Sequence, residues 1–392
     1  MSETATRIIP APIAAQRPCV TKLVLGDFRS YETLDLRLDS RMVALTGANG
    51  AGKTNVLEAL SLFSLGRGLR RADLRDCARA KGPGSWTISI ELADGEDATQ
   101  LGTGLDAPDG FGLAARKCRI NRAPAGSASA FAEYMRVVWL TPTMDGLFSG
   151  SAGERRRFLD RLVLAVDSGH GSRVNALERA LRNRNRLLED SYADRIWLDA
   201  AEREVAELGI AVANARHETV SRLHQLILDE REAASAFPWA EIALEGEIEV
   251  LLGQYPAQIA EEKYREILRN NRGRDASAGR TLIGPHVSDL SVRHGPKDVE
   301  AAQSSTGEQK ALLTGLVLAH ARLVTQMSGL APLILLDEIA AHFDAARREA
   351  LFDTLENLGA QVWMTGAEAS AFGSLHGRAQ ILKVQDGGIS GV

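Results

Sequence analysis

The sequence predicts a mixed α/β nucleotide-binding core divided by a helical insertion. Three observations carry that expectation. Met42-Val43-Ala44-Leu45 reads as a short buried strand, Gly47-Ala48-Asn49-Gly50-Ala51-Gly52-Lys53-Thr54 fits G-x-x-x-x-G-K-[ST], and apolar residues from Val56 to Phe63 then recur with helical spacing. A second buried strand, Leu333-Ile334-Leu335-Leu336, runs into Asp337-Glu338, 284 residues after Lys53. Between the two, from Glu154 to about Asn270, the chain is rich in Arg, Glu, Ala and Leu and predicted mostly helical. A compact P-loop domain does not need such a separation, whereas a split one with an inserted arm does.

In chain order, residues 1–20 hold Pro10, Pro12 and Pro18 without a continuous apolar run, and read as a flexible tail rather than a signal peptide. Val20–Leu25 and the alternating Leu34, Leu36 and Leu38 predict two strands around the turn Asp27-Phe28-Arg29-Ser30-Tyr31. Gly66 and Gly68 suit a cap for the helix after the P-loop. From Ser85 to Asn121 the pattern is β-like, with turns at Asp94-Gly95 and Asp109-Gly110, and Val137–Leu140 is a further buried strand. Leu198, Ala201, Val205, Leu208, Val212 and Ala215 keep a heptad-like register, and no proline interrupts 194–237, so a helix of about 40 residues, roughly 60 Å long, is expected there. It would pair with helices such as 173–188. β-type patterning resumes at Thr281-Leu282-Ile283, a helix opens near Ser305, Ala345–Leu358 is helical, and Gln361–Thr365 is one more strand. The expected divisions are a tail over 1–20, a P-loop lobe over 21–150, a helical arm domain over 151–280 and a second lobe over 281–392. Strands alternating with helices at both ends argue one α/β core.

Composition bounds the function. With 46 basic and 51 acidic residues the net charge is −5, so any contact with DNA must rest on local basic patches. Cys19, Cys77 and Cys118 are too few and scattered for a zinc site or disulfide framework, which favours a reducing cytoplasm. No apolar run approaches membrane length, so no membrane association is expected.

The motifs point to nucleotide chemistry. Glycines let the backbone turn tightly, so that N–H groups of residues 47–54 face phosphate oxygens. Lys53 would add charge near the β- and γ-phosphates of ATP, and Thr54 a hydroxyl for Mg²⁺. Asp337 would hold Mg²⁺, directly or through water, and Glu338 would orient or deprotonate the attacking water. Ser305-Thr306-Gly307-Glu308-Gln309 fits a capping box opening a helix, as Thr306 with Gln309 or Ser305 with Glu308, and such a helix end can also bind an anion. Nine arginines against four acids between Glu154 and Arg186 reverse the charge of the whole chain locally. Arg179, Arg182 and Arg186 share one helical face suited to phosphate contacts. Aromatic content is 5% with no stacking ladder, which argues for backbone and shape recognition rather than base reading.

Ser305–Lys310, some thirty residues before the Asp337-Glu338 strand, resembles the ABC signature in the form used by SMC and Rad50 ATPases. Within that class the chain resembles the RecF family over about residues 21–390. The shared motifs are Asp27–Tyr31, the P-loop with Asn55–Ala59, Glu154-Arg155-Arg156-Arg157-Phe158-Leu159-Asp160, Gly284-Pro285-His286 with Asp289-Leu290, the signature and the Asp337-Glu338 strand. The resemblance implies an ABC-type ATPase head of two lobes with a short helical arm. It also implies an ATP-dependent homodimer with Ser305–Gln309 acting in trans, and binding of single-stranded or gapped DNA. It further implies work with RecO and RecR in loading recombinase during DNA repair, replication-fork maintenance and the SOS response. The chain departs from the family pattern at Val287-Ser288-Asp289 and at Pro142-Thr143-Met144-Asp145, where Asp145 is the candidate for the Q-loop role. Thr365 stands where transporter-type ABC ATPases place a histidine switch, so slow hydrolysis is expected. A full SMC or Rad50 chain would need a far longer coiled coil than the about 120 residues between the lobes. An OLD-type nuclease would need an acidic domain after the head. The alternative readings are another SMC/Rad50-like ATPase, or a binding module for which ATP is only a structural ligand.

Overall fold

The computed structural model describes residues 15–95, 97–107, 115–190, 194–231, 236–339, 343–385 and 387–391. The first fourteen residues of the expected tail and the turn expected at Asp109-Gly110 lie outside them. A hairpin of β1 (Cys19–Phe28) and β2 (Tyr31–Arg37) opens the fold. Then come β3 (Met42–Thr46), the P-loop and α1 (Lys53–Ser61). α1 ends at Ser61, before Gly66 and Gly68, so neither glycine caps it. The antiparallel strands β4 (Trp86–Asp94), β5 (Asp97–Leu105), β6 (Arg116–Ile120) and β7 (Ala123–Ala125) follow, then β8 (Val137–Leu140).

Three helices come next: α2 (Ala152–Val166), α3 (His170–Glu189) and α4 (Arg195–Glu230). At 36 residues α4 is about 54 Å long. It belongs to two cores. Val205, Ala206 and Ile210 pack with Leu177, Leu181, Tyr264 and Leu268 in a small cluster. Val220, Leu223 and Ile227 join the main core. After α4 one strand interrupts the region expected to be mostly helical. β9 (Ala240–Glu245) turns Ala240, Ile242 and Leu244 inward and Glu241, Ala243 and Glu245 outward, a period of two. Helices α5 (Glu247–Gln254), α6 (Ala257–Asn270) and α7 (Arg272–Ala278) complete this region. No strand forms at 281–283; the next, β10 (Asp289–His294), starts later and pairs antiparallel with β9 and with β11 (Val299–Glu300).

The last third supplies α8 (Thr306–Ser328), β12 (Leu333–Leu336), α9 (Ala345–Leu358), β13 (Val362–Gly366), β14 (Gln380–Gln385) and β15 (Gly388–Gly391). These strands enter a six-stranded sheet in the order β15-β14-β3-β13-β12-β8, parallel except for β15. β3, β8, β12 and β13 are buried at every position, as expected of parallel strands covered on both faces. The two ends of the chain therefore build one sheet. A second six-stranded sheet, β2-β1-β4-β5-β6-β7, is antiparallel.

Two family motifs meet at the base of the helical region. Arg155 grips the Asp289 carboxylate with two bonds of 2.8 and 2.6 Å, and Arg156 donates to the Ser288 carbonyl at 2.8 Å. Arg216 of α4 donates to both oxygens of Asp160 at 2.8 and 2.9 Å and to the Pro285 carbonyl, and His170 reaches Asp160 at 2.8 Å. Burial opposes the charged form of Asp160, but His170 and Arg216 outweigh it and hold the carboxyl below its ordinary value. Asp289 at the family position is thus a structural clasp on α2, whatever the residues between it and His286.

Candidate functional site

The P-loop lies at the carboxyl end of β3, in the middle of the parallel sheet, where strand ends open a crevice. Gly47 has φ 143, and a side chain there would overlap the Val384 carbonyl. Gly52 has φ 112, and a Cβ would stand 2.8 Å from the Ser30 hydroxyl and 2.9 Å from that of Tyr31. Both positions demand glycine. Gly52 is the N-cap of α1 and offers no side chain to its first N–H groups, so these stay open to an anion.

Lys53 is 4% exposed; its ammonium donates to the carbonyls of Gly47 at 2.6 Å and Ala48 at 2.9 Å. Burial lowers its pKa, opposed by the charges of Glu338 and Asp337. The Thr54 hydroxyl donates to the Asp337 carboxylate at 3.0 Å. The residues that the motifs assign to phosphate and metal, separated by hundreds of positions, are therefore in contact. β13 lies between β3 and β12 and brings Thr365 to the same point. Its hydroxyl donates to Asp337 Oδ1 at 2.7 Å and accepts the Glu338 N–H at 2.7 Å. Glu338 takes φ 52, a left-handed conformation that costs a non-glycine residue on the order of 1 kcal/mol or more. Thr365, read from sequence only as a missing histidine, orients one carboxylate and fixes the backbone of the next. Thr365→Val should lower kcat for hydrolysis by about tenfold with little change in nucleotide affinity, and Thr365→Ser should restore it. The hydroxyl makes two hydrogen bonds, one of them to a charged carboxylate and worth about 1.5–3 kcal/mol, and their loss misplaces both carboxylates. Equal loss in Val and Ser variants would contradict the assignment.

The donor set fits a nucleotide with Mg²⁺. Thr54 and Asp337 offer a hydroxyl and one carboxylate at one point, the sparse protein contribution usual for Mg²⁺ that shares its shell with phosphates. Behind the P-loop, Glu58 of α1 is 2% exposed and binds Arg29 at 2.6 and 2.9 Å and Arg70 at 2.6 Å. Arg70 also donates to Asn55, which donates to Ser30. This network fixes the Asp27–Tyr31 turn against α1; a carboxylate on the buried face of a P-loop helix was the signal for it.

Ser305 is the N-cap of α8 and forms the capping box with Glu308, which settles the two alternatives for the signature. Lys297 binds the Glu308 carboxylate at 2.5 Å. Hydrogen bonds from Lys297 and Ser305 lower its pKa to about 2. Gln309 is buried, and its amide donates to the carbonyls of Ala302 and Ser304. Ser305, Thr306 and Gly307 face solvent, and among the described residues none hydrogen-bonds to residues 47–54. Asp145 pairs with Lys310 of α8 at 2.7 Å, in a small cavity shared with Asp337 and Glu338.

The arginine-rich stretch divides sharply. Arg179, Arg182 and Arg186 of α3 are exposed, as their spacing predicts. Arg184 is completely buried, bound to Glu202, Asp275, Thr281 and the Leu268 carbonyl. Arg155, Arg156 and Arg173 are committed to Asp289, Ser288 and Asp167. Much of the local positive excess is therefore internal. Among the described residues no helix is long and apolar enough to cross a membrane, and the three cysteines are free.

The sequence profile of the RecF/RecN/SMC N-terminal domain family matches residues 19–390. The chain is 52% identical over 373 residues to the DNA replication and repair protein RecF of Rhizobium rhizogenes, covering 95% of this chain and 98% of that one. To RecF of Mesorhizobium japonicum it is 51% identical over 368 residues, covering 94% and 96%. A solved structure of the recombination mediator RecF with ATP, from the RecFOR pathway, superposes with a TM-score of 0.83 at 19% identity over 97% of this chain and 99% of that one. An Smc head domain from Pyrococcus furiosus reaches 0.50 at 18% identity, covering 96% of each chain.

Proposed function

Because the chain belongs to the RecF family of DNA replication and repair proteins, within the RecF/RecN/SMC group, we propose that it is an ATP-dependent recombination mediator. In this reading it binds single-stranded or gapped DNA as an ATP-held dimer, hydrolyses ATP slowly and helps RecO and RecR to load recombinase in the cytoplasm. The observation that carries the ATP part is the meeting of Thr54, Asp337 and Thr365 at the open N-terminus of α1.

The chain's own residues divide the work. The N–H groups of the P-loop and α1 hold the phosphates, and Lys53 exchanges carbonyl partners for phosphate oxygens. Mg²⁺, held by Thr54 and Asp337, would neutralise phosphate charge. Glu338 accepts the proton of the attacking water. Ser305, Thr306 and Gly307 are free to meet the nucleotide of a second copy, because they are exposed and uncommitted to their own P-loop. A site completed this way exists only in a two-fold pair, so ATP acts as a ligand of the dimer.

Sedimentation tests this directly. Wild type should double its mass with ATP and not with ADP. Thr306→Arg should stay monomeric with ATP while still binding it, since the new guanidinium would oppose the partner's Lys53. A mass that ignores ATP, or normal dimerisation of the variant, defeats the reading.

For DNA, the exposed face of α3 is the proposed phosphate contact. Replacing Arg179, Arg182 and Arg186 by Ala should reduce the slope of log K against log salt by about 2 to 3, as three lost phosphate contacts require. An unchanged slope would place the DNA contacts elsewhere.

A further inference from the structure

The antiparallel six-stranded sheet turns one face to the core and the other to solvent. Leu101, Thr103 and Leu105 of β5 are buried, and Gln100, Gly102 and Gly104 alternate with them on the outer face. The register sets Ser89 of β4 and Arg119 of β6 on either side of Gly102, and Thr87 and Lys117 on either side of Gly104. The result is an open trough. Its floor is bare backbone beside the hydroxyls of Thr87 and Ser89, and its wall is Lys117, Arg119 and Arg122. Thr87 and the three basic residues are exposed. Asp106, the one acid lining the trough, pairs with Lys117. Among the described residues neither Arg119 nor Arg122 has an acidic partner.

Two residues of the trough run against local preference. β6 and β7 are joined by Asn121 and Arg122, with φ 49 and 70. Such a two-residue hairpin turn favours Asn-Gly, yet its second position here carries an arginine, at a cost in stability. Gly102 is the reverse case. It has no positive φ, and a Cβ there would meet nothing nearer than 3.8 Å, whereas at Gly104 it would stand 2.6 Å from the Trp86 carbonyl. The fold therefore demands glycine at 104 and not at 102, where a glycine inside a strand only weakens it. The two positions are connected, because Gly102 pairs with Arg119 and the Arg119 guanidinium donates to the Arg122 carbonyl at 3.1 Å. Together they keep a bare floor next to a fixed positive charge.

We propose that this trough seats a DNA backbone, with phosphates against Arg119 and Arg122 and the sugar-phosphate chain passing over Gly102. The proposal rests on the DNA-binding reading above and gives it a surface separate from the arginines of α3. Charge complementarity selects an anion. The shape selects backbone rather than bases, since Trp86 is 1% exposed and offers no ring for stacking. An acidic polypeptide fits less well. β5 is hydrogen-bonded on both sides, so no strand can be added to it, and a floor of Gly, Ser, Thr and Gln has no pocket for an apolar anchor.

Binding of the full chain to a fluorescent gapped duplex in the presence of ATP tests the surface, read beside thermal unfolding. Gly102→Val fills the floor with a residue suited to a strand, and Arg122→Gly restores the favoured turn and removes its charge. Both variants should unfold at the wild-type Tm or on the order of 1 °C above it. Both should bind the duplex roughly five- to tenfold more weakly, as expected for one or two lost charge-assisted phosphate contacts. Arg122→Gly should also reduce the slope of log K against log salt by about 1. Stability kept while binding falls separates a binding role from a structural one, and either variant suffices if the other does not fold. Wild-type affinity in both variants overturns the proposal and leaves the face to a protein partner, while the DNA-binding reading stands. Weaker binding only with a lower Tm assigns both residues to the fold and also overturns it. A wild type that does not bind the duplex removes the DNA-binding reading and this surface with it.

Discussion

Glu338→Gln should reduce ATP hydrolysis by on the order of 10²- to 10⁴-fold while leaving ATP bound, the range expected when a general base is removed. The substitution keeps the shape of the side chain and the backbone bond from residue 338 to the Thr365 hydroxyl. It also leaves Asp337, with its bonds from Thr54 and Thr365, in place. The carboxylate proposed to hold the metal and the one proposed to activate water are thereby separated experimentally. Phosphate release measured beside nucleotide binding is the appropriate pair of readings. Turnover equal to wild type would remove Glu338 from the catalytic role. A wild type that binds ATP and never releases phosphate would favour the reading in which ATP is a structural ligand alone.

Lys53→Ala should weaken ATP binding by roughly 10- to 100-fold, the value of a hydrogen bond to a charged group, and should abolish the response of DNA binding to ATP. Lys53 is buried near two carboxylates, and its ammonium braces two carbonyls of the loop. Its loss removes both the phosphate's counter-charge and the brace. Thermal unfolding of the variant separates these effects: a folded protein with unchanged nucleotide affinity would refute the P-loop assignment.

Much of the site was legible because its chemistry is local. The strand before Gly47, the glycines that need special φ, and the carboxylates after Leu336 each announce themselves within ten residues. What escaped depends on partners far along the chain. Thr365 carries no mark that its hydroxyl meets Asp337. Arg184 sits among exposed arginines of the same helix, and only Glu202 and Asp275 make it internal. Ala240–Glu245 has the composition of a helix, yet pairing with β10 overrides propensity, as happens readily in strands. Gln309 belongs to a legible motif, but its burial under the capping box could be read only from the fold.

The order of strands in the parallel sheet has a consequence for how this protein is made. β3 is flanked by β13 and β14, both drawn from the last thirty-odd residues of the chain. While the ribosome works through the helical region, Met42, Val43, Ala44 and Leu45 have neither neighbour. At 5–20 residues per second, the roughly 340 residues between the end of β3 and the end of β14 take about 17 to 70 s to synthesise. Through that interval an apolar strand waits with both edges unpaired, and nascent chains halted before residue 362 should be the ones that chaperones hold and proteases cut.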